Sequence, residues 1–492
     1  MPESFEGAFR TYVSLLLDQS RRAERSAIRS AQLAATVVKA AEEIESRDEF
    51  AQLAFATGIE FGIAKEGQFE KQFFWKSYVS AFWRLSGVYE ALFEGKAIDY
   101  ADVEARYRAA FSATTNRVTY LAPIQFVEFG SMPTKRLDFE IRQFTSEELD
   151  LILHNQTKRI FYTWAALDLR VLSKCWFIVT EATVPAPQLG FWILRSGDFG
   201  KVGLKYSQHP APIESALARL ALVDWLRHEM SYDHKSSPPI REHSRHLGGI
   251  YPDVPFVLSV SDNLLAPPQA APDLSRLATE PIMNDEGEEI GERPVIGLHV
   301  YGHEPEEMSD FLLSVSDQLG KVRAFKEWAF LDVALNFLVK AFVNKVELEQ
   351  MLWHITAIEA TIGENVNNGL TELLRRRVST IFGTTNAERD KLKKRFKKLY
   401  EFRSALLHGD TGFSTHEIHM GHLSEARDLA RCLVLWMLRF LAWIADGHDG
   451  KSVPTRTEIL KLIDLKSDER ERLIPILNRL PSDFPTVPGW GL

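Results

Sequence analysis

Apolar residues recur at helical spacing through five successive runs between Ala324 and Gly447. The runs read AFKEWAFLDVALNFLVKAF, VELEQMLWHITAIEATIG, LTELLRRRVSTIFG, NAERDKLKKRFKKLYEFRSALLHG and SEARDLARCLVLWMLRFLAWIADG. Gly363, Gly383, Gly409 and Gly447 stand at four of the ends, as C-terminal caps do. The pattern predicts a compact helical bundle over 321–446. A tail over 447–492 follows, with one or two short helices and a Pro-rich end.

Upstream, residues 1–118 read as a helical N-terminal region, with a long Ala-, Leu-, Glu- and Arg-rich stretch and the aromatic run FFWKSYVSAFWRLSGVYEALFEG. Those aromatics read as core. From 119 to 320 the period changes. LDFEIRQF alternates apolar and charged residues, and CWFIVTEATV, FWILRSG, KVGLKY and RPVIGLHVYG are further strand candidates. Thr145 and Glu148 form a capping-box helix start. HKSSPPIREHSRHLGG, LLAPPQAAP and MNDEGEEIGE read as loops. The expected fold class is mainly α with an α+β middle section.

Composition narrows the class only a little. Hydrophobic residues make up 45% and charged residues 25% of the 492, which is ordinary globular usage. The net charge of −9 advertises neither nucleic acid nor membrane, so any nucleic-acid contact needs a local patch. Cys175 and Cys432 form no disulfide framework and no zinc spacing. The greasiest run is interrupted by Arg431 and Arg439, and the N-terminus lacks a basic-then-apolar signal. The expectation is a soluble cytoplasmic protein without membrane contact.

Two charges disturb the bundle pattern. In the fourth run, Leu392, Phe396, Leu399 and Leu406 trace an apolar stripe, and Arg403 fills one of its places. In the second, Leu348, Leu352, Ile355 and Ile362 do the same, and Glu359 fills the corresponding place. A buried charge needs a partner. Either Glu359 and Arg403 approach each other or share a polar cleft, or they are a snorkelling arginine and a boundary glutamate. Lys393, Lys394, Lys397 and Lys398 lie on the opposite side, a basic face that reads as RNA-binding or as simply solvated. NAERDKLKKRFKKLYEFR holds eight basic and three acidic residues on an acidic chain. His408 lies five residues after Arg403, about 140° around an ideal helix. Only a frayed last turn would bring it to the same face. The spacing itself decides nothing, since REHSRH from Arg241 to His246 repeats it in a predicted loop.

LYEFRSALLHGD in this helical setting, with AIEATIG on the second helix, resembles the HEPN superfamily and within it the Apea-like branch. The resemblance covers about 320–446 and extends more weakly to VEFG and LDFEIRQFTSEELDLIL. It implies a metal-independent endoribonuclease that acts as a homodimer, with Arg403 and His408 as the catalytic pair. Ser404 is a supporting residue and Glu359 the partner of Arg403. No cofactor or metal is implied. Histidine exchanges protons near neutral pH, and arginine presents a fixed planar fork to phosphate. Some members carry a modified tyrosine two places after the histidine; here Asp410 stands there, so that control is not expected.

The resemblance also implies antiphage defence by abortive infection, with a phage or nucleotide trigger acting on the N-terminal part. The competing readings are a non-catalytic HEPN module that binds RNA or a partner, and a regulatory scaffold with a ligand pocket in 119–320. His416, His419 and His422 follow the motif at i, i+3, i+6 spacing, which reads as a metal site or, more plainly, a polar loop or helix start.

Overall fold

The computed structural model describes residues 4–23, 41–62, 72–93, 96–129, 137–153, 169–185, 209–223, 225–227, 252–261, 274–284, 286–299, 305–344, 346–364, 369–383, 385–408, 420–447 and 453–464. The chain is mainly helical, with a smaller α+β section in the middle of the sequence. Contacts group the chain into two units. The first comprises Met1–Pro123, Gln143–Val202 and Phe256–Leu277; the second comprises Ile124–Arg142, Gly203–Pro255 and Ala278–Leu492. The region 119–320 thus contributes to both.

The first unit contains helices α1 (Phe5–Ala23), α2 (Asp48–Glu60), α3 (Gln72–Leu85), α4 (Val88–Phe93) and α5 (Tyr100–Ser112). Their shared core is aromatic. Phe9, Phe82, Trp83 and Tyr107 meet in tilted and edge-on contacts, as ring quadrupoles favour. The buried phenols find partners: Tyr12 and Tyr89 share a 2.7 Å hydrogen bond, as do Tyr107 and Thr57. A second core lies under the antiparallel strands Thr115–Ile124 and Leu258–Ser261. It is covered by α6 (Ser146–Ile152), which starts at the reciprocal Thr145–Glu148 capping box.

The second unit holds α7 (Ala211–Leu220), α8 (Pro305–Arg323), α9 (Ala329–Phe342), α10 (Glu347–Ile362), α11 (Leu370–Phe382), α12 (Asn386–His408), α13 (Met420–Asp446) and α14 (Arg456–Asp464). Helix α10 packs on α9 and α13, α11 on α12, and α14 on α11. Helix α13 forms the greasy centre, with Leu429, Leu433, Met437 and Leu441 fully buried. Arg431 lies only 3% exposed among them. Among the described residues, no helix is long and apolar enough to cross a membrane.

Part of MNDEGEEIGE departs from the loop expectation. Thr279–Met283 pairs antiparallel with Glu289–Pro294. Asn284 Oδ1 accepts from the backbone N–H groups of Glu286 and Glu288, and Gly287 takes φ +80° to close the turn. Both faces of the ribbon are largely solvated, so its sequence carries no alternation to reveal a strand. FWILRSG, KVGLKY and REHSRH lie outside the described residues.

Candidate functional site

Helix α12 starts at a capping box in which Thr385 Oγ1 accepts from the Glu388 N–H and the Glu388 carboxylate accepts from the Thr385 N–H. Its apolar stripe is buried as expected: Leu392, Phe396 and Leu399 are each 1% exposed. Lys394, Lys397 and Lys398 are exposed and Lys393 half-buried. Lys393 and Lys397 lie within 3.5 Å and 3.4 Å of Asp390 and Glu401. The face is therefore basic but partly neutralised along its own helix.

The buried side of α10 is broader than the predicted stripe. Leu348 and Leu352 are half-buried, while Met351, His354, Ile355, Ile358 and Ile362 are buried. Contact with both α9 and α13 covers more than one side of the helix. Glu359 lies at the edge of the buried surface.

Arg403 and Glu359 are brought together from α12 and α10, with Arg403 Nη2 3.5 Å from Glu359 Oε1. The side chains remain 26% and 21% exposed, so the pair contributes at most about 1 kcal/mol to folding. Its effect is chiefly orientational. Tyr400, one turn before Arg403, donates its hydroxyl to the same Oε1 at 2.6 Å. The Arg403 guanidinium also lies 5.5 Å from the Tyr400 ring centre. Burial first, then the Glu359 carboxylate, pushes the Tyr400 phenol well above its ordinary pKa, so it stays a neutral donor. The role of Tyr400 is one the sequence reading missed. Its i, i+3 relation to Arg403, and the need of a buried phenol for a partner, were the available signals.

Ser404 is half-buried. Helix α12 stays helical through His408, so the frayed last turn is not observed. The His408 side chain lies outside the described residues, as do His416, His419, Gly409 and Asp410. His422 lies on α13 with its ring 5.2 Å from that of Phe402. Among the described residues no group of three or more potential metal ligands occurs.

Glu359 also borders a cleft of about 320 Å³, lined by Thr356, Gly363, Glu364 and Arg456 among others. Arg456 Nη2 donates to the carbonyls of Glu359, Ala360 and Gly363, closing the C-terminus of α10. Beneath them Arg377, 1% exposed, donates to the Ile362 carbonyl, Glu364 and Asp464. Helix α14, within the predicted tail, therefore supplies Arg456 and Asp464 to this region.

Gly363 and Gly383 end α10 and α11 with φ −76° and −91°, not in the left-handed region usual for capping glycines. At Gly363 the requirement is space: an added Cβ would lie 2.4 Å from the Glu359 carbonyl oxygen. Gly363→Ala should destabilise the fold by about 1–3 kcal/mol, as overpacking does. It should also displace Glu359. Urea unfolding checks the first effect, and an unchanged midpoint would show that the helix end yields freely.

Comparison with protein-family models, with curated proteins and with solved structures finds no match to this chain.

Proposed function

We propose that the protein is a metal-independent endoribonuclease of the HEPN type, with helices α9 to α13 as its nuclease bundle. The observation that carries this reading is the convergence of Arg403, Tyr400 and Glu359 beside a helix that ends at His408 and bears exposed lysines. The lysines attract the RNA backbone. The ribose 2′-hydroxyl attacks the adjacent phosphorus, the bond to the 5′-oxygen breaks, and a 2′,3′-cyclic phosphate and a 5′-hydroxyl result. His408 takes the proton from the 2′-hydroxyl or gives one to the leaving 5′-oxygen. Arg403 pairs with the phosphoryl oxygens as their charge shifts, and Ser404 supports RNA or His408. Glu359, steadied by Tyr400, holds the guanidinium in position.

A regular helix keeps Arg403 and His408 about 140° apart, which supports a homodimer whose copies complete each other's site. The remainder of the chain senses a phage or nucleotide trigger, and the enzyme acts in the cytoplasm in antiphage defence by abortive infection. A second reading, a non-catalytic HEPN module that binds RNA or a partner, is favoured by one observation: Glu359 already compensates Arg403.

The test is incubation of the full chain with total RNA and a chelator. Cyclic-phosphate ends support the nuclease. RNA binding without cleavage supports the second reading, and chelator-sensitive cleavage moves attention to His416, His419 and His422.

A further inference from the structure

Glu359, Glu364 and Arg456 border the same cleft, and each has hydrogen-bonding capacity left over. Arg403 and Tyr400 both reach Glu359 Oε1, and Arg377 reaches Glu364 Oε2. Among the described residues, Glu359 Oε2 and Glu364 Oε1 have no donor. Arg456 spends only Nη2 on the three carbonyls at the end of α10, with its guanidinium 5.2 Å from the Phe330 ring centre. Its Nε is buried without a partner, and its Nη1 has none among the described residues. A guanidinium only donates, so a buried N–H left without an acceptor is uncommon. The cleft thus combines two spare anionic acceptors with one spare cationic donor, on a frame fixed by α10 and α14. Its volume of about 320 Å³ lies at the small end of ligand pockets, room for a nucleobase or nucleoside.

We propose that this cleft is a guanine subsite, which seats an RNA base next to the scissile phosphate. Guanine carries the matching pattern. Its N1–H and 2-amino group are adjacent donors on one edge, for which Glu359 and Glu364 supply the acceptors. O6 and N7 are acceptors on the other edge, where arginine is the usual donor. Adenine and cytosine bring one amino group beside ring acceptors, and uracil brings one imino group. Each would leave a carboxylate without a donor, and unpaired polar groups are what a recognition site penalises. Glu359 belongs both to the cleft and to the pair with Arg403, so a base seated there lies one side chain away from the guanidinium assigned to the phosphate. That placement rests on the nuclease reading; the recognition of guanine does not.

Binding is measured on the full chain carrying His408→Ala, so that RNA stays intact. Calorimetry should show 3′-GMP bound about ten-fold more tightly than 3′-IMP, which lacks only the 2-amino group. A similar ratio should separate a short RNA holding one guanine from its inosine counterpart. Glu364→Gln should bring both ratios near one. Because Glu364 also holds Arg377, Leu370→Trp is the second variant: it fills the cleft, keeps the three charged groups and should likewise abolish the preference. Cuts made by the chain with His408 intact should fall beside guanine, and in Leu370→Trp they should lose that bias. Equal binding of the guanine and inosine forms would overturn the proposal, as would a preference that survives both variants. A preference for 3′-GMP without one for the RNA would replace the RNA subsite with a free-nucleotide site. Cuts without base bias would overturn the placement beside the scissile phosphate. Guanine-selective RNA binding with no cleavage at all would remove the nuclease reading and leave the guanine site standing.

Discussion

Alanine at Arg403 or at His408 is expected to lower RNA cleavage by about 10²–10⁴-fold, the range for removing a positioned proton-transfer group or an oxyanion-stabilising donor. Folding should change little. The Arg403–Glu359 pair is partly exposed, and such pairs contribute at most about 1 kcal/mol. The two losses differ in kind. His408→Ala should remove the limb of the pH–rate profile that reports protonation of the histidine. Arg403→Ala should keep the limb and lower the whole curve. Arg403→Lys should recover only part of the rate, because an ammonium lacks the planar fork. Mixing the two inactive variants should restore activity if each site takes its arginine and histidine from different copies. Cleavage at the wild-type rate by either alanine variant would rule out the catalytic assignment.

Arg377→Leu should be the most damaging substitution in the bundle, with a loss of about 3 kcal/mol or more in urea unfolding. Its guanidinium joins three elements: the Ile362 carbonyl at the end of α10, Glu364 just beyond, and Asp464 on α14. Removal leaves Glu364 and the Ile362 carbonyl without this donor and Asp464 with Arg376 alone. Asp464→Asn combined with Arg377→Leu should cost less than the sum of the single changes, since the Asp464 charge is then no longer left without Arg377. The network also sets an acid limit. Burial alone would raise the Asp464 pKa, but hydrogen bonds from Arg377 and Arg376 outweigh it and hold the value below the ordinary 3.8. Its contribution is therefore complete above that value and is lost as pH falls through the lower folded value. In Arg377→Leu this part of the acid transition should shrink. A variant as stable as wild type at neutral pH would show the network to be dispensable.

What could be read without coordinates follows from local rules. The five helices of the C-terminal part were legible because apolar periodicity is a property of a single segment. Arg403 and Glu359 were legible as anomalies for the same reason, each interrupting a stripe on its own helix. Pairing them required only that neither charge be left alone. Tyr400 escaped notice because a tyrosine on an apolar face is unremarkable until its hydroxyl is seen to point at a carboxylate.

Arg377, Arg456 and Asp464 were beyond local reading. Arg377 is one of three consecutive arginines, and nothing in RRR tells which one turns inward. Arg456 reaches carbonyls 93 to 97 residues away, and Asp464 reaches Arg377 across 87. Gly363, Gly383 and Gly447 do stand at helix ends, but at Gly363 the reason differs: the neighbouring carbonyl, not a left-handed backbone, excludes a side chain.

The sequence by itself determined the helices of the C-terminal part, the buried positions Leu392, Phe396 and Leu399 of α12, and the two charges that had to be accommodated, because those depend on spacing along one segment. Only the tertiary structure decided that Glu359 gathers Tyr400 and Arg403, that α14 secures the end of α10, and that Glu359, Glu364 and Arg456 border one cleft. Those arrangements come from side chains far apart in the chain, whose meeting depends on how the helices pack.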